Sequence, residues 1–142
     1  MIHVSDLKKT YNGTTVLQIE NLDIPQGQSF GLVGNNGKKK TTFFSLLLDL
    51  IRPTTGRITT NNIQINISEE WKKFTSSFID ETFLIGYLTP EEYFYFIGEL
   101  RGWNKADVDA FLKNYEDFFN GEILNNKKYL RDLSKGNAKK AG

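Results

Sequence analysis

Ser29-Phe30-Gly31-Leu32-Val33-Gly34-Asn35-Asn36-Gly37-Lys38-Lys39-Lys40-Thr41-Thr42 is the stretch on which the reading of this chain turns. Residues 29–34 form a short apolar run, the mark of a strand buried on both faces, and the two glycines inside it allow close backbone approach. A polar loop follows. Thr41 to Ile51 is then apolar nearly all round, which predicts a helix buried in a core, with Arg52-Pro53 ending it. Strand, glycine-containing loop and helix are together the setting of an anion-binding loop. Backbone N–H groups point at the anion and the helix dipole adds positive potential there. In the pattern G-x-x-x-x-G-K-[ST] the lysine reaches outer phosphates and the next hydroxyl coordinates magnesium. Gly34, Lys40 and Thr41 fill three of those places. Lys39 stands where the pattern has its second glycine, and predicts bulk and strain at the point of closest approach. On loop chemistry alone, a basic solvated turn between strand and helix remains the other reading.

Composition narrows the function classes. The chain has 142 residues, about one domain, with 18 Lys plus Arg against 17 Asp plus Glu. That balance gives no general attraction to nucleic acid or anionic lipid. The absence of cysteine excludes disulfides and thiolate metal sites. The single histidine, His3, excludes multi-histidine metal centres, argues against a histidine-based triad, and is given no functional weight. No apolar run approaches the ~18 residues of a membrane span, Phe43 to Ile51 being interrupted by Ser45 and Asp49. No secretory signal is recognisable, so a soluble intracellular protein is expected.

Outward from the loop, Val16 to Ile24 reads as a strand with apolar side chains at 17, 19, 22 and 24, closed by a turn at Pro25-Gln26-Gly27-Gln28. Gly56 to Ile67 reads as a hairpin turning at Asn61-Asn62, with Ile63, Ile65 and Ile67 on one face. Glu69 to Phe74 suggests a helical turn, and Phe78-Ile79 a short strand ending at Asp80-Glu81. Thr89-Pro90-Glu91-Glu92 is a helix start, and Gly102 a stop. Asn104 caps a second helix, in which Val108, Phe111, Leu112, Tyr115, Phe118 and Phe119 make one amphipathic stripe, assigned to the core. For the aromatics of the 90–101 helix, core and a docking groove for a transmembrane partner stay equally open. The paired lysines 127–128 and 139–140 read as solvated.

Gly31 to Gly37 followed by Lys40-Thr41-Thr42 resembles the Walker A segment of ATP-binding cassette (ABC) ATPases, which usually have Ala-Gly where this chain has Lys38-Lys39. Tyr11 is similar to the family's adenine-stacking aromatic. Phe78-Ile79-Asp80-Glu81 resembles the Q-loop region, with an acid where the family usually has Gln. Leu133-Ser134-Lys135-Gly136-Asn137 resembles the signature motif. Arg52 to Ile58 matches the family's run into the next strand. The order of these motifs covers essentially the whole chain.

The resemblance implies an α/β P-loop NTPase of ABC type: an N-terminal antiparallel β subdomain, a partial parallel core sheet and a helical subdomain. Residues 1–83 would be the ATP-binding core and 84–142 the helical subdomain. It implies ATP and Mg2+ as cofactors. Lys40 would hold the β- and γ-phosphates and Thr41 the magnesium. Gly34, Asn35, Asn36, Gly37, Lys38, Lys39 and Thr42 would complete the cradle, and Asp80 or Glu81 would sense metal and water. The signature residues, Ser134 and Gly136 among them, would meet the γ-phosphate held by a second ATP-binding subunit in a head-to-tail dimer. Transmembrane permease subunits are the further partners, and nucleic acid is not. The protein would lie in the cytoplasm against the inner face of the membrane, in a bacterial exporter. The family's Walker B strand, catalytic acid and switch histidine follow the signature, beyond Gly142. The C-terminal part of the domain is thus expected to be absent, with an exposed sheet edge, self-association or marginal stability, and no normal ATP turnover. The rival readings are a non-catalytic cassette-like interaction module and a soluble ABC ATPase not involved in transport.

Overall fold

The computed structural model describes residues 1–34, 37–125 and 127–142, with Gly37 and Lys38 described by backbone alone. Two compact units result, Met1–Ser77 and Phe78–Gly142.

In the first unit, β1 (Ile2–Tyr11), β2 (Thr14–Ile24), β3 (Thr55–Thr60) and β4 (Ile63–Gln64) form one antiparallel sheet in the order β2-β1-β3-β4. Helix α1 (Gly37–Leu47) packs on it. The core joins Val4, Leu7 and Ile58 of the sheet, and Ile65 just past β4, to Phe43 and Leu46 of the helix and to Trp71. Trp71 sits in a 3-10 turn (Glu70–Phe74), where the sequence predicts a helical turn, and donates its indole N–H to the Ile65 carbonyl at 3.0 Å. Val4 and Leu7 are both fully buried although three residues apart. An unbroken strand would place them on opposite faces. Between them Asp6 has φ 49°, and the pairing of β1 with β3 shifts register there. That bulge turns both side chains inward.

The bulge constrains its neighbour. Gly56 has φ +82°, and a Cβ there would lie 2.3 Å from the Asp6 carbonyl oxygen. The β3–β4 turn forms as expected, with Asn61 and Asn62 at φ 48° and 64°, the positive pair that a two-residue hairpin requires. Ile67 departs from expectation: it is 76% exposed. The chain turns out of the strand after Gln64, whose carbonyl accepts the N–H groups of Ile67 and Ser68.

Two further expectations are corrected. Residues 29–34 belong to no strand, with Val33 90% exposed, and Phe78-Ile79 likewise forms none. A buried strand needs flanking strands to take its backbone groups. Among the described residues the sheet is antiparallel throughout, so the parallel pairing expected of these segments has no partner. Helix α1 starts and stops four residues early. Asp49 at φ 53° closes it, with Leu50 N–H bonding the Ser45 carbonyl (2.9 Å) and Asp49 N–H the Leu46 carbonyl (3.2 Å). This is a Schellman motif with Asp in the left-handed place, and the stop precedes Pro53.

The second unit contains α2 (Pro90–Leu100), α3 (Lys105–Lys113), α4 (Glu116–Phe119) and α5 (Lys135–Ala141). Thr89 with Glu92, and Asn104 with Asp107, close reciprocal capping boxes on α2 and α3, so both helix starts lie where the sequence puts them. The expected 105–119 helix is broken at Asn114–Tyr115. Val108, Leu112 and Phe119 are buried, whereas Phe111, Tyr115 and Phe118 are exposed. Trp103, Phe111 and Tyr115 stack outside, with ring centroids 5.4 and 4.9 Å apart. The break rotates the second half of the stripe away from a single line. Tyr93, Phe94 and Tyr95 pack against the core, while Phe96, Ile97 and Leu100 are exposed. Lys140, expected to be solvated, bonds Glu122 at 2.7 Å.

Gly98 lets α2 and α3 approach. A Cβ there would meet Val108 Cγ2 at 2.3 Å. Gly98→Ala therefore destabilises by about 1–3 kcal/mol through overpacking, despite alanine's better helix propensity. Val108→Ala in the same chain recovers part of the loss in urea denaturation. Gly56→Ala costs about 3 kcal/mol on the same measurement, because positive φ and backbone collision add.

Candidate phosphate-binding loop and associated motifs

The loop lies between Gly34 and α1. Asn35 and Asn36, read as cradle residues, lie outside the described residues. Gly37 opens the helix, so the N–H groups of residues 37–40 have no partner within it. The N-terminal turn carries no acid, and the sequence places lysines at 38, 39 and 40. Each cation near a helix N-terminus opposes the dipole by ~0.3–1 kcal/mol, so the turn is electrostatically unfavourable until an anion neutralises it.

Lys40 is half-buried and donates from Nζ to the Gly34 carbonyl at 2.5 Å, strapping the two ends of the loop together. Thr41 is exposed and Thr42 half-buried on the following positions. Lys39 is exposed and sits within α1 at ordinary helical φ. The strain expected of a non-glycine residue there is thus absent, because helical backbone suits any L-residue. Leu17, Ile19, Leu32, Val33, Gly34, Lys39, Lys40 and Phe43 line a cavity of about 510 Å³. Its wall is mostly apolar, with Lys39 and Lys40 among its lining. Sequence reasoning named Gly34, Lys39 and Lys40 but missed the apolar wall. The alternation of Leu17 and Ile19 on β2 was its visible signal.

Tyr11, at the end of β1, is 48% exposed, and Lys9 Nζ lies 4.7 Å from its ring centroid. Tyr11 is not among the residues lining this cavity. Magnesium takes oxygen ligands, usually one or two carboxylates besides substrate phosphates. Thr41 offers a hydroxyl, and among the described residues no trio of His, Asp and Glu side chains converges on a metal position. A magnesium ion here would have to be held largely by phosphate oxygens.

In the second unit, Asp80 caps a 3-10 turn (Glu81–Phe83), accepting the Thr82 N–H at 2.8 Å and the Thr82 hydroxyl. The hydroxyl bond first, and the N–H bond second, hold its carboxyl below the usual aspartate range. Glu81 is half-buried beside it. Ser134, Lys135 and Gly136 are exposed, while Leu133 packs against the helical core. Ser134 Oγ caps α5 by accepting the Asn137 N–H at 3.2 Å. His3, given no weight from sequence, bonds Asp23 through Nδ1 and lies 2.8 Å from Ser5 Oγ through Nε2.

The fold is that of a P-loop ABC ATPase cassette. It superposes on the dimeric ATP-binding cassette MJ0796, in a post-hydrolysis state bound to ADP and Pi, with TM-score 0.78 and 19% identity. That superposition covers 99% of this chain and 66% of the other. Residues 17–142 match the ABC transporter family, and the chain belongs to it. It is 31% identical to the uncharacterized ABC transporter ATP-binding protein YhaQ of Bacillus subtilis, over 99% of this chain and 46% of that protein. It is 34% identical to the bacitracin transport ATP-binding protein BcrA of Enterococcus faecalis, over 80% of this chain and 37% of that protein. The chain thus spans less than half the length of these relatives. Among the described residues no helix is long and apolar enough to cross a membrane.

Thr82→Val removes the hydroxyl donor and raises the Asp80 pKa toward the ordinary value of about 3.9, read from its carboxyl carbon shift during NMR titration. A depressed carboxyl pKa means that the cap contributes stability above the unfolded-state pKa. That contribution is lost as pH falls from the unfolded-state value through the folded-state value, and in the variant the loss is smaller and is complete at higher pH.

Proposed function

We propose that the chain is part of the ATP-binding subunit of an ABC transporter, coupling ATP binding and hydrolysis to transport through membrane subunits. The observation that carries this reading is the Lys40 strap onto Gly34 at the N-terminus of α1, in a chain whose family match runs from residue 17 to 142. On this reading Lys40 leaves the Gly34 carbonyl for the β- and γ-phosphates and Thr41 supplies its hydroxyl to magnesium. Gly34, Gly37 and the α1 N–H groups receive phosphate oxygens, and Tyr11 stacks on adenine. Asp80 or Glu81 acts at the metal and the attacking water. Ser134 and Gly136, at the surface of the second unit, face the γ-phosphate held by a second subunit. Bound magnesium would draw charge from the phosphates during in-line transfer.

The bacitracin transport relative favours an export role at the inner face of a bacterial membrane. Exposed Phe96, Ile97 and Leu100 on α2 provide apolar surface for a membrane partner. The 142 residues themselves are assigned nucleotide binding rather than turnover, since no Asp-Glu pair ends an apolar strand among those described. A second reading, a cassette that docks without hydrolysis, is favoured by Lys39 at the glycine position.

Calorimetric titration of the chain with Mg-ATP tests the reading. Binding is expected, and Lys40→Ala weakens it about a hundredfold, roughly 2.7 kcal/mol, with an unchanged circular dichroism melt. Equal binding by both forms, or binding by neither, removes the loop from its assigned role.

A further inference from the structure

We propose that Asp23, His3 and Ser5 form an esterolytic triad on the outer face of the antiparallel sheet, with Ser5 as the nucleophile toward small activated esters. The three residues share no member with the cavity beside α1, so this activity is independent of the nucleotide reading.

His3 and Ser5 alternate with buried Val4 on β1, so both side chains stand on the face away from the core. The pairing of β1 with β2 sets Asp23 directly across from His3, and directly opposed residues of an antiparallel pair share a face. Asp23 Oδ1 meets His3 Nδ1, and His3 Nε2 lies 2.8 Å from Ser5 Oγ. A carboxylate only accepts, so Nδ1 carries the ring proton. Nε2 of the neutral ring then offers a lone pair to the Ser5 hydroxyl. A nucleophile, a base on its proton and an acid that orients the base make an acyl-transfer triad, which is defined by geometry and roles rather than by sequence order. The same register brings Asn21 of β2 and Arg57 of β3 directly opposite Ser5, and both are exposed. Their side-chain N–H groups are the donors for the oxyanion that forms when Ser5 adds to a carbonyl.

The step balances within these residues. Ser5 Oγ bonds to the ester carbonyl carbon as its proton passes to His3 Nε2. The bond to the leaving oxygen then breaks, and that oxygen takes the proton. Water attacks the acyl-serine in turn, giving a proton to Nε2. The bond to Oγ breaks, Oγ recovers the proton and a carboxylic acid leaves. Asp23 touches no reacting atom and is a positioning residue. The His3 and Asp23 side chains are 38% and 44% exposed, so the site is open to solvent and gains little from enclosing its substrate. Its substrates are therefore esters whose leaving group departs easily, such as aryl acetates.

The test is hydrolysis of p-nitrophenyl acetate by the whole chain, with acid quenching and peptide mapping of the acetyl group. Wild type, Ser5→Ala, His3→Gln and Asp23→Asn are compared, with a circular dichroism melt of each. Wild type is expected to carry acetyl on Ser5 during turnover. Ser5→Ala should abolish that label and the turnover above buffer. His3→Gln should slow Ser5 acetylation about a hundredfold, the scale of a lost general base. Asp23→Asn should lower kcat about tenfold at unchanged KM, because the ring is no longer held in the productive tautomer. His3 is the chain's single histidine, so its ring nitrogen shifts in NMR report that tautomer directly. Acetyl groups confined to lysines and the N-terminal amine, or Ser5 acetylated as fast in His3→Gln as in wild type, overturn the proposal. Should Ser5→Ala or His3→Gln lose its melt, the mapped position of the acetyl group in wild type decides alone.

Discussion

Burial of Phe43 and Leu46 against the antiparallel sheet is the constraint from which the loop takes its position. Both side chains are 1% exposed, and each such burial is worth ~1.5–3 kcal/mol. An isolated helix as short as α1 is marginal in water, and its lysine-rich first turn opposes its own dipole. Tertiary packing must therefore hold α1 in place. Once it does, the N–H groups at its start and the Lys40 ammonium are fixed relative to Gly34. The sheet meets this demand through a defect. The Asp6 bulge brings Val4 and Leu7 to the same face, and Gly56 is the residue whose backbone can lie against that bulge.

The helical unit is organised differently. Its two principal helices begin at reciprocal caps, which are local and strong. Their closeness depends on the missing Cβ of Gly98 against Val108. Polar groups close the remaining ends: Ser134 caps α5, and Asp80 caps its own 3-10 turn. Ser134 and Asp80 thus have local structural duties. A ligand that recruits either must compete with a backbone N–H already bound.

Local chemistry was legible in the sequence. Thr89-Pro90 and Asn104 announced helix starts, and Asn61-Asn62 announced a turn that only residues tolerant of positive φ make easily. Gly34, Lys40 and Thr41 marked the candidate loop ahead of α1. The readings that changed all involved distant partners. The apolar run at 29–34 looked like a buried strand, yet a strand is made by its neighbours, and among the described residues none pairs with it. Phe111, Tyr115 and Phe118 fitted an apolar stripe, yet all three are exposed, and the helix breaks at Asn114–Tyr115. His3 drew no attention alone, and only the pairing of β1 with β2 set it against Asp23.

The sequence by itself determined the cap residues, the turn types, the order of motifs and the charge of the loop, because each depends on side-chain chemistry within a few positions. Tertiary structure alone decided the inward turn of Leu7, the apolar wall that Leu17 and Ile19 give the loop cavity, and the relaxed backbone of Lys39 inside α1. Those outcomes depend on which segments lie side by side, and burial and hydrogen bonding across long sequence separations settle that only when the chain has folded.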